Sequence, residues 1–243
     1  MRRRRPTPTA LDPQWEAVAA AHAGGWRHLD VAGRDRLLDQ ARTLDQTRYW
    51  EGLGGLVVTP TMRAHIAAQA CVLTVNVGLR ALADVTSILV APSASFQTMR
   101  HRTGGSIVSE SAASVLGEAR LHGPVRLAWD QIEVELAGGA TTSLVIHEFA
   151  HKVDMADGSA DGTPPIVDRR SSVAFEQVAD RTLDELRAGA PGNALRGYGA
   201  TNRTELFAVA SEAFFLRPSE LRSQFGDLYD VLADFYRQQP ATT

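Results

Sequence analysis

The run Ser143-Leu144-Val145-Ile146-His147-Glu148-Phe149-Ala150-His151-Lys152-Val153-Asp154 constrains this chain more than any other part of it. It carries His-Glu-x-x-His between apolar flanks without Gly or Pro, which reads as a buried helix. On a helix His147 and His151 stand four residues apart and share one face. Two imidazoles so placed can grip one metal ion. Glu148, beside the first of them, can reach a water on that ion. Two His plus a carboxylate, with one position open, is a donor set that suits Zn²⁺.

A catalytic zinc needs a third protein ligand, and three carboxylates compete for the place. Asp157 follows His151 by six residues, a spacing that requires a Gly near position 154, where Asp154 stands instead. Glu205 and Glu212 are seven residues apart and so lie on one face of a later helix. Each has a structural reading as well. Asn202-Arg203-Thr204-Glu205 fits a capping box, and Glu212 fits a buried carboxylate that orients a His ring. The pattern slightly favours the two Glu over Asp157 and does not separate them. Asp154 either orients a ligand ring or ties the end of its helix to the following loop. A closed, structural metal site would need a fourth ligand, for which His101, His122 and Asp157 are the candidates.

With 243 residues, 44% of them hydrophobic, the chain can bury a core. A net charge of -3 gives no bulk electrostatic case for a nucleic acid or an anionic membrane. No run approaches the roughly 20 apolar residues of a membrane span. Arg2 to Arg5 are followed by Pro6-Thr7-Pro8-Thr9 and not by the apolar run of a signal peptide. Residues 1–10 therefore read as a disordered basic tail, and the protein as cytoplasmic. The single cysteine, Cys71, excludes a disulfide within the chain. It sits among Ile66, Ala67, Ala70, Val72 and Leu73 as a small core residue.

Apolar periodicity predicts helices over Pro13–Ala23, Arg34–Tyr49 and Met62–Leu79, a helical N-terminal part spanning residues 11–80. The period then shortens. Val85–Ala91, Ser106–Ser109 and Gly123–Asp130 read as strands, with Val125, Leu127 and Trp129 alternating in the last. Gln131–Ala140 has no clear period. Helices follow over Ser171–Arg187, Asn202–Leu216 and Phe225–Gln238. Asp157, Ser159, Asp161, Gly162 and Asp168 fall at positions of a calcium-binding loop, but the last is Asp in place of Glu and Pro164-Pro165 interrupts the run. The order of elements gives an α+β fold, and strands followed by a His-Glu-x-x-His helix resemble the order in many zinc peptidases, where an edge strand lies along the cleft and can pair with an extended peptide.

Several of these segments, in this order, resemble the Mlc titration factor A family, zinc metallopeptidases related in catalytic-domain layout to anthrax lethal factor. The resemblance rests on His147-Glu148-Phe149-Ala150-His151-Lys152-Val153-Asp154, Asp157-Gly158, Gly162-Thr163-Pro164-Pro165, the run from Tyr198 to Phe215, Leu228-Tyr229, and Phe235-Tyr236-Arg237-Gln238-Gln239-Pro240. It is close from about Val85 to Pro240 and vaguer in the N-terminal helices. It implies a zincin-like metallopeptidase domain over residues 81–240, with a small mixed sheet and an active-site helix bearing the His-Glu-x-x-His. It implies Glu205 as the third ligand, one Zn²⁺, Glu148 as general base and Tyr198 with its hydroxyl in the cleft. Glu212 and Asp154 then stand behind the ligands. The expected activity is aminopeptidase-like hydrolysis of a peptide or protein. The alternative is a regulatory protein that sequesters a transcriptional repressor in sugar-uptake control, with the zinc site secondary.

Overall fold

The computed structural model describes residues 13–94, 117–119, 123–138, 141–189 and 194–242. The basic tail, the strand expected at Ser106–Ser109, and His101 and His122 lie outside them. Helix α1 (Pro13–His22) is followed by α2 (Val31–Thr47), whose cap Asp30 accepts the Gly33 N–H at 2.6 Å. Leu37, Leu38, Ala41 and Leu44 form the buried stripe of α2. Helix α3 (Pro60–Val72) opens on Thr59, with Pro60 in the first turn, where a missing N–H costs nothing. It ends seven residues before the expected Leu79. The apolar pattern continues, but as turns that lead to Gly78 at φ 96°.

Strand β1 (Tyr49–Gly52) begins on Tyr49, where the end of a helix was expected. Strand β2 (Ser87–Ala91) agrees with the β-branched run. Strand β3 (Gly117–Ala119) was not predicted, and β4 is Val125–Ala128. The sheet order is β1-β2-β4-β3. β1, β2 and β4 are parallel, with Ile88 opposite Trp50 and Val125, and β3 is an antiparallel edge. The N-terminal helical part thus supplies one strand to the sheet. Trp129 does not continue β4. It begins helix α4 (Trp129–Leu136), which occupies the stretch without a clear period.

Helix α5 (Leu144–Asp154) carries His-Glu-x-x-His. Its residues from Val145 to Asp154 are all buried, the apolar ones in the core and His147, Glu148, His151, Lys152 and Asp154 on a polar face closed over by neighbouring elements. It packs on β3 and β4 on one side, and on α3 and helix α7 (Arg203–Leu216) elsewhere. Helix α6 (Arg169–Arg187) is capped by Asp168, which accepts from Ser171 N–H at 2.9 Å; that aspartate therefore serves a helix start. Pro218 follows the end of α7 and opens a short helix α8 (Pro218–Gln224), before α9 (Gly226–Tyr236).

One apolar cluster runs from Leu37 and Ile66 through Ile88 and Phe149 to Phe214 and Tyr236. Burial pushes the Cys71 thiol up to about 12, so it is an inert core group. The C-terminal Phe-Tyr-Arg-Gln-Gln-Pro segment is structural. Tyr236 is fully buried against Phe214, Phe215 and Phe207, and shares a 2.8 Å hydrogen bond with Ser211 Oγ. Gln238 Nε2 donates to Val72 O at 2.9 Å, fastening the tail to the end of α3. Among the described residues no helix is long and apolar enough to cross a membrane.

The loop after α5 holds α7 in place. Asp154 Oδ2 accepts the Gly162 N–H at 3.1 Å. Gly162 has φ +78°, and a Cβ there would stand 2.3 Å from the carbonyl carbon of Arg203, the first residue of α7. Gly162→Ala is expected to cost at least about 1–3 kcal/mol in urea unfolding, since both the backbone angle and the helix contact must give. It should also weaken metal uptake, because Glu205 lies two residues further along.

Candidate active site

The cap of α5 sets the site from behind. Ser143 Oγ accepts the Ile146 N–H at 3.1 Å and donates to Gln69 Oε1 at 2.6 Å. Leu144 N–H donates to Glu135 at 2.8 Å. One turn further, His147 and His151 bring their Nε2 atoms to 3.2 Å from each other. Glu205 enters from α7, its Oε2 at 3.2 Å from His147 Nε2 and 3.5 Å from His151 Nε2.

These three atoms test the site for a metal. Tetrahedral ligands at the 2.0–2.1 Å bond lengths of zinc stand about 3.3–3.4 Å apart. The observed triangle of 3.2, 3.2 and 3.5 Å has that size. The chemistry agrees, since Glu205 Oε2 is buried and makes no hydrogen bond. Among the described residues this is the one group of three or more His, Cys, Asp or Glu whose donor atoms converge in this way. Asp157 is not part of it; its carboxylate accepts the Ser159 N–H at 2.9 Å within the loop.

The two readings of Glu205 are resolved by half each. Asn202 Oδ1 accepts the Glu205 N–H at 2.8 Å, so the cap exists. The Glu205 carboxylate, however, turns to the histidines and not back to the cap. Burial pushes its pKa up, but His147 and His151 beside it pull harder and hold it well below the usual carboxylate range. Glu212, 2% exposed, accepts from His147 Nδ1–H at 2.8 Å and from Ser143 N–H at 3.0 Å. With its proton on Nδ1, His147 presents the Nε2 lone pair to the centre of the triangle. Burial opposes a charge on His147. The Glu205 and Glu212 carboxylates beside it outweigh burial and push the metal-free imidazole up to about 10, so an incoming metal must displace a proton.

Glu148 is 4% exposed, and its Oε2 is buried without a hydrogen-bond partner. Burial raises its pKa, with His147 and His151 opposing. Tyr198, in the single turn Gly197–Ala200, has its ring 6.1 Å from that of His147. Burial, then the neighbouring Glu205, pushes its hydroxyl up to about 12, so it stays a donor at neutral pH. Asp154 makes its hydrogen bond to the Gly162 loop and none to a ligand ring. Burial pushes it up to about 6.

Sequence reasoning missed Arg196. Its Nη2 pairs with Glu212 Oε1 and stands 3.1 Å from His147 Nδ1. The residue lies in a Gly-rich turn with no periodic pattern; its nearness to Tyr198 in sequence was the only signal. Lys152, the sole lysine of the chain, is 3% exposed and donates to Gly123 O at 2.9 Å, tying α5 to the start of β4.

Known proteins resemble this chain over most of its length. A protein of Synechocystis sp. is 31% identical over 236 residues, which cover 95% of this chain and 86% of that protein. The proteins called Mlc titration factor A of Yersinia pestis and Yersinia pseudotuberculosis are each 32% identical over 219 residues, covering 87% of this chain and 80% of theirs. The family model described as glucose-regulated metallo-peptidase M90 matches residues 1–237. The chain belongs to the glucose-regulated metallo-peptidase M90 family, together with the Mlc titration factor A proteins.

Proposed function

We propose that the chain is a zinc-dependent, aminopeptidase-like peptidase in which His147, His151 and Glu205 hold the metal. The observation that carries this reading is Glu148, a buried carboxylate with an unpartnered oxygen set beside a three-atom metal cluster. A structural metal site has no use for such a group. When bound, zinc supplies Lewis acidity, polarising a carbonyl and bringing the pKa of water toward ~7.

The chain's own residues do the rest. Glu148 takes the proton from the attacking water and delivers it to the leaving amine, and its raised pKa suits that exchange. The Tyr198 hydroxyl donates to the carbonyl oxygen of the scissile bond as negative charge develops there. Glu212 keeps His147 in the tautomer that frees Nε2. The edge strand β3 offers its outer backbone to an extended peptide.

The test is hydrolysis of a panel of aminoacyl p-nitroanilides by the zinc-loaded protein. Cleavage by the wild type is expected. In Tyr198→Phe, kcat should fall about 10²–10³-fold with zinc content unchanged, the usual cost of losing one oxyanion donor. A zinc-loaded wild type that cleaves no member of the panel counts against the reading. A second reading draws on the Yersinia relatives, whose name says that they titrate Mlc. On it this chain sequesters a transcriptional repressor, and co-purification with that repressor in the Glu148→Gln background would separate binding from catalysis.

A further inference from the structure

We infer that Arg196 is the substrate-anchoring cation of the cleft, so that the preferred substrates carry a free carboxylate one residue beyond the scissile bond. The inference rests on the peptidase reading above. Balancing Glu212 accounts for only part of Arg196. Glu212 is 3% exposed at its side chain, whereas that of Arg196 is 41% exposed. A guanidinium has five N–H donors in a rigid fork. Here Nη2 alone meets Glu212, and Nε and Nη1 have no hydrogen-bond partner among the described residues. A fork bound by one prong and open to solvent at the others is a receptor for a second planar anion.

Its place is right for substrate. The guanidinium stands 6.0 Å from the Tyr198 ring centroid, and Tyr198 in turn flanks His147. Nη2 is 3.1 Å from Nδ1 of His147. Adding the width of the ring and one metal–nitrogen bond puts it within about 7 Å of an ion on Nε2. A carbonyl at that ion, one peptide unit of about 3.8 Å and a charge-assisted hydrogen bond of about 2.8 Å span a similar distance. A carboxylate on the first residue after the cleaved bond therefore reaches Arg196. On the other side of His147 the Glu148 and Glu205 carboxylates repel an anion, which leaves Arg196 as the cation it can reach.

The experiment compares alanyl-alanine with alanyl-alanine amide on the zinc-loaded protein, as the ratio of the two kcat/KM values. The wild type should favour the free acid by about 10–100-fold, mainly through KM, as one charge-assisted contact predicts. That ratio should fall as salt rises, because the contact is exposed. Arg196→Gln should bring it close to one, and Arg196→Lys should keep part of it. A wild-type ratio near one overturns the inference. So does a ratio that survives Arg196→Gln while both rates drop together, which would leave Arg196 only a positioning role behind Glu212. A wild type that cleaves neither dipeptide nor any aminoacyl p-nitroanilide overturns the peptidase reading itself; anilide cleavage with no acid preference overturns this inference alone.

Discussion

Glu148→Gln is expected to keep its zinc and its fold and to lose about 10²–10⁴-fold in kcat, the contribution of a positioned acid–base group. The amide is close in shape and sits at the same buried position, so the packing of α5 on its neighbours is preserved. Oε2 makes no hydrogen bond in the wild type, so no partner is orphaned by the change. What disappears is the capacity to accept a proton. Zinc content by metal analysis and turnover on an aminoacyl p-nitroanilide check both halves. Full activity in this variant would remove hydrolysis by this site from consideration.

Glu205→Ala and Glu212→Ala should separate in opposite directions. Glu205 supplies one of three converging atoms and makes few other demands. Its loss should weaken zinc binding on the order of 10²–10³-fold, roughly one ligand's share of a zinc site's binding free energy. The metal-free fold should change little. Glu212 is the reverse case. Without it the His147 ring N–H, the Ser143 N–H and the Arg196 guanidinium lose their common acceptor. The two buried N–H groups, of His147 and Ser143, cost about 1–3 kcal/mol each when orphaned, so the fold suffers first, while zinc affinity falls only about 10–100-fold. Chelator competition and urea unfolding of the metal-free protein give the two numbers. Zinc retained without Glu205 and lost without Glu212 would exchange their roles.

The histidine pair was legible because His147 and His151 stand four residues apart in a run without Gly or Pro, on the polar face of a helix that is otherwise apolar. Glu205 and Glu212 were visible as a pair and inseparable, since spacing gives a common face but not which carboxylate turns inward. The difference arises in three dimensions: Glu212 lies two turns further along α7, beside the Ser143 cap, and Glu205 faces the ring edges. The misplaced elements have similar causes. β1 has four residues and is defined by pairing with β2, which is remote in sequence. Trp129 continues the alternation of β4 in sequence, but Asp130 N–H bonds to Pro92 O as the chain turns into α4. Apolar residues after Val72 stay buried whether the backbone is helical or turned, so their period cannot mark the end of α3. Arg196 became meaningful only through Glu212, sixteen residues away.

The solitary Lys152 has a consequence for how this protein can be watched. A lysine-specific endoprotease has a single bond to cut in the whole chain, that between Lys152 and Val153. The bond is inside α5, with both residues buried and the ammonium fastened to Gly123. Cleavage there needs the helix to unwind, and it divides the two histidines from Glu205. The rate at which two fragments appear therefore times every opening, local or global, that unwinds α5, read on a gel without any label.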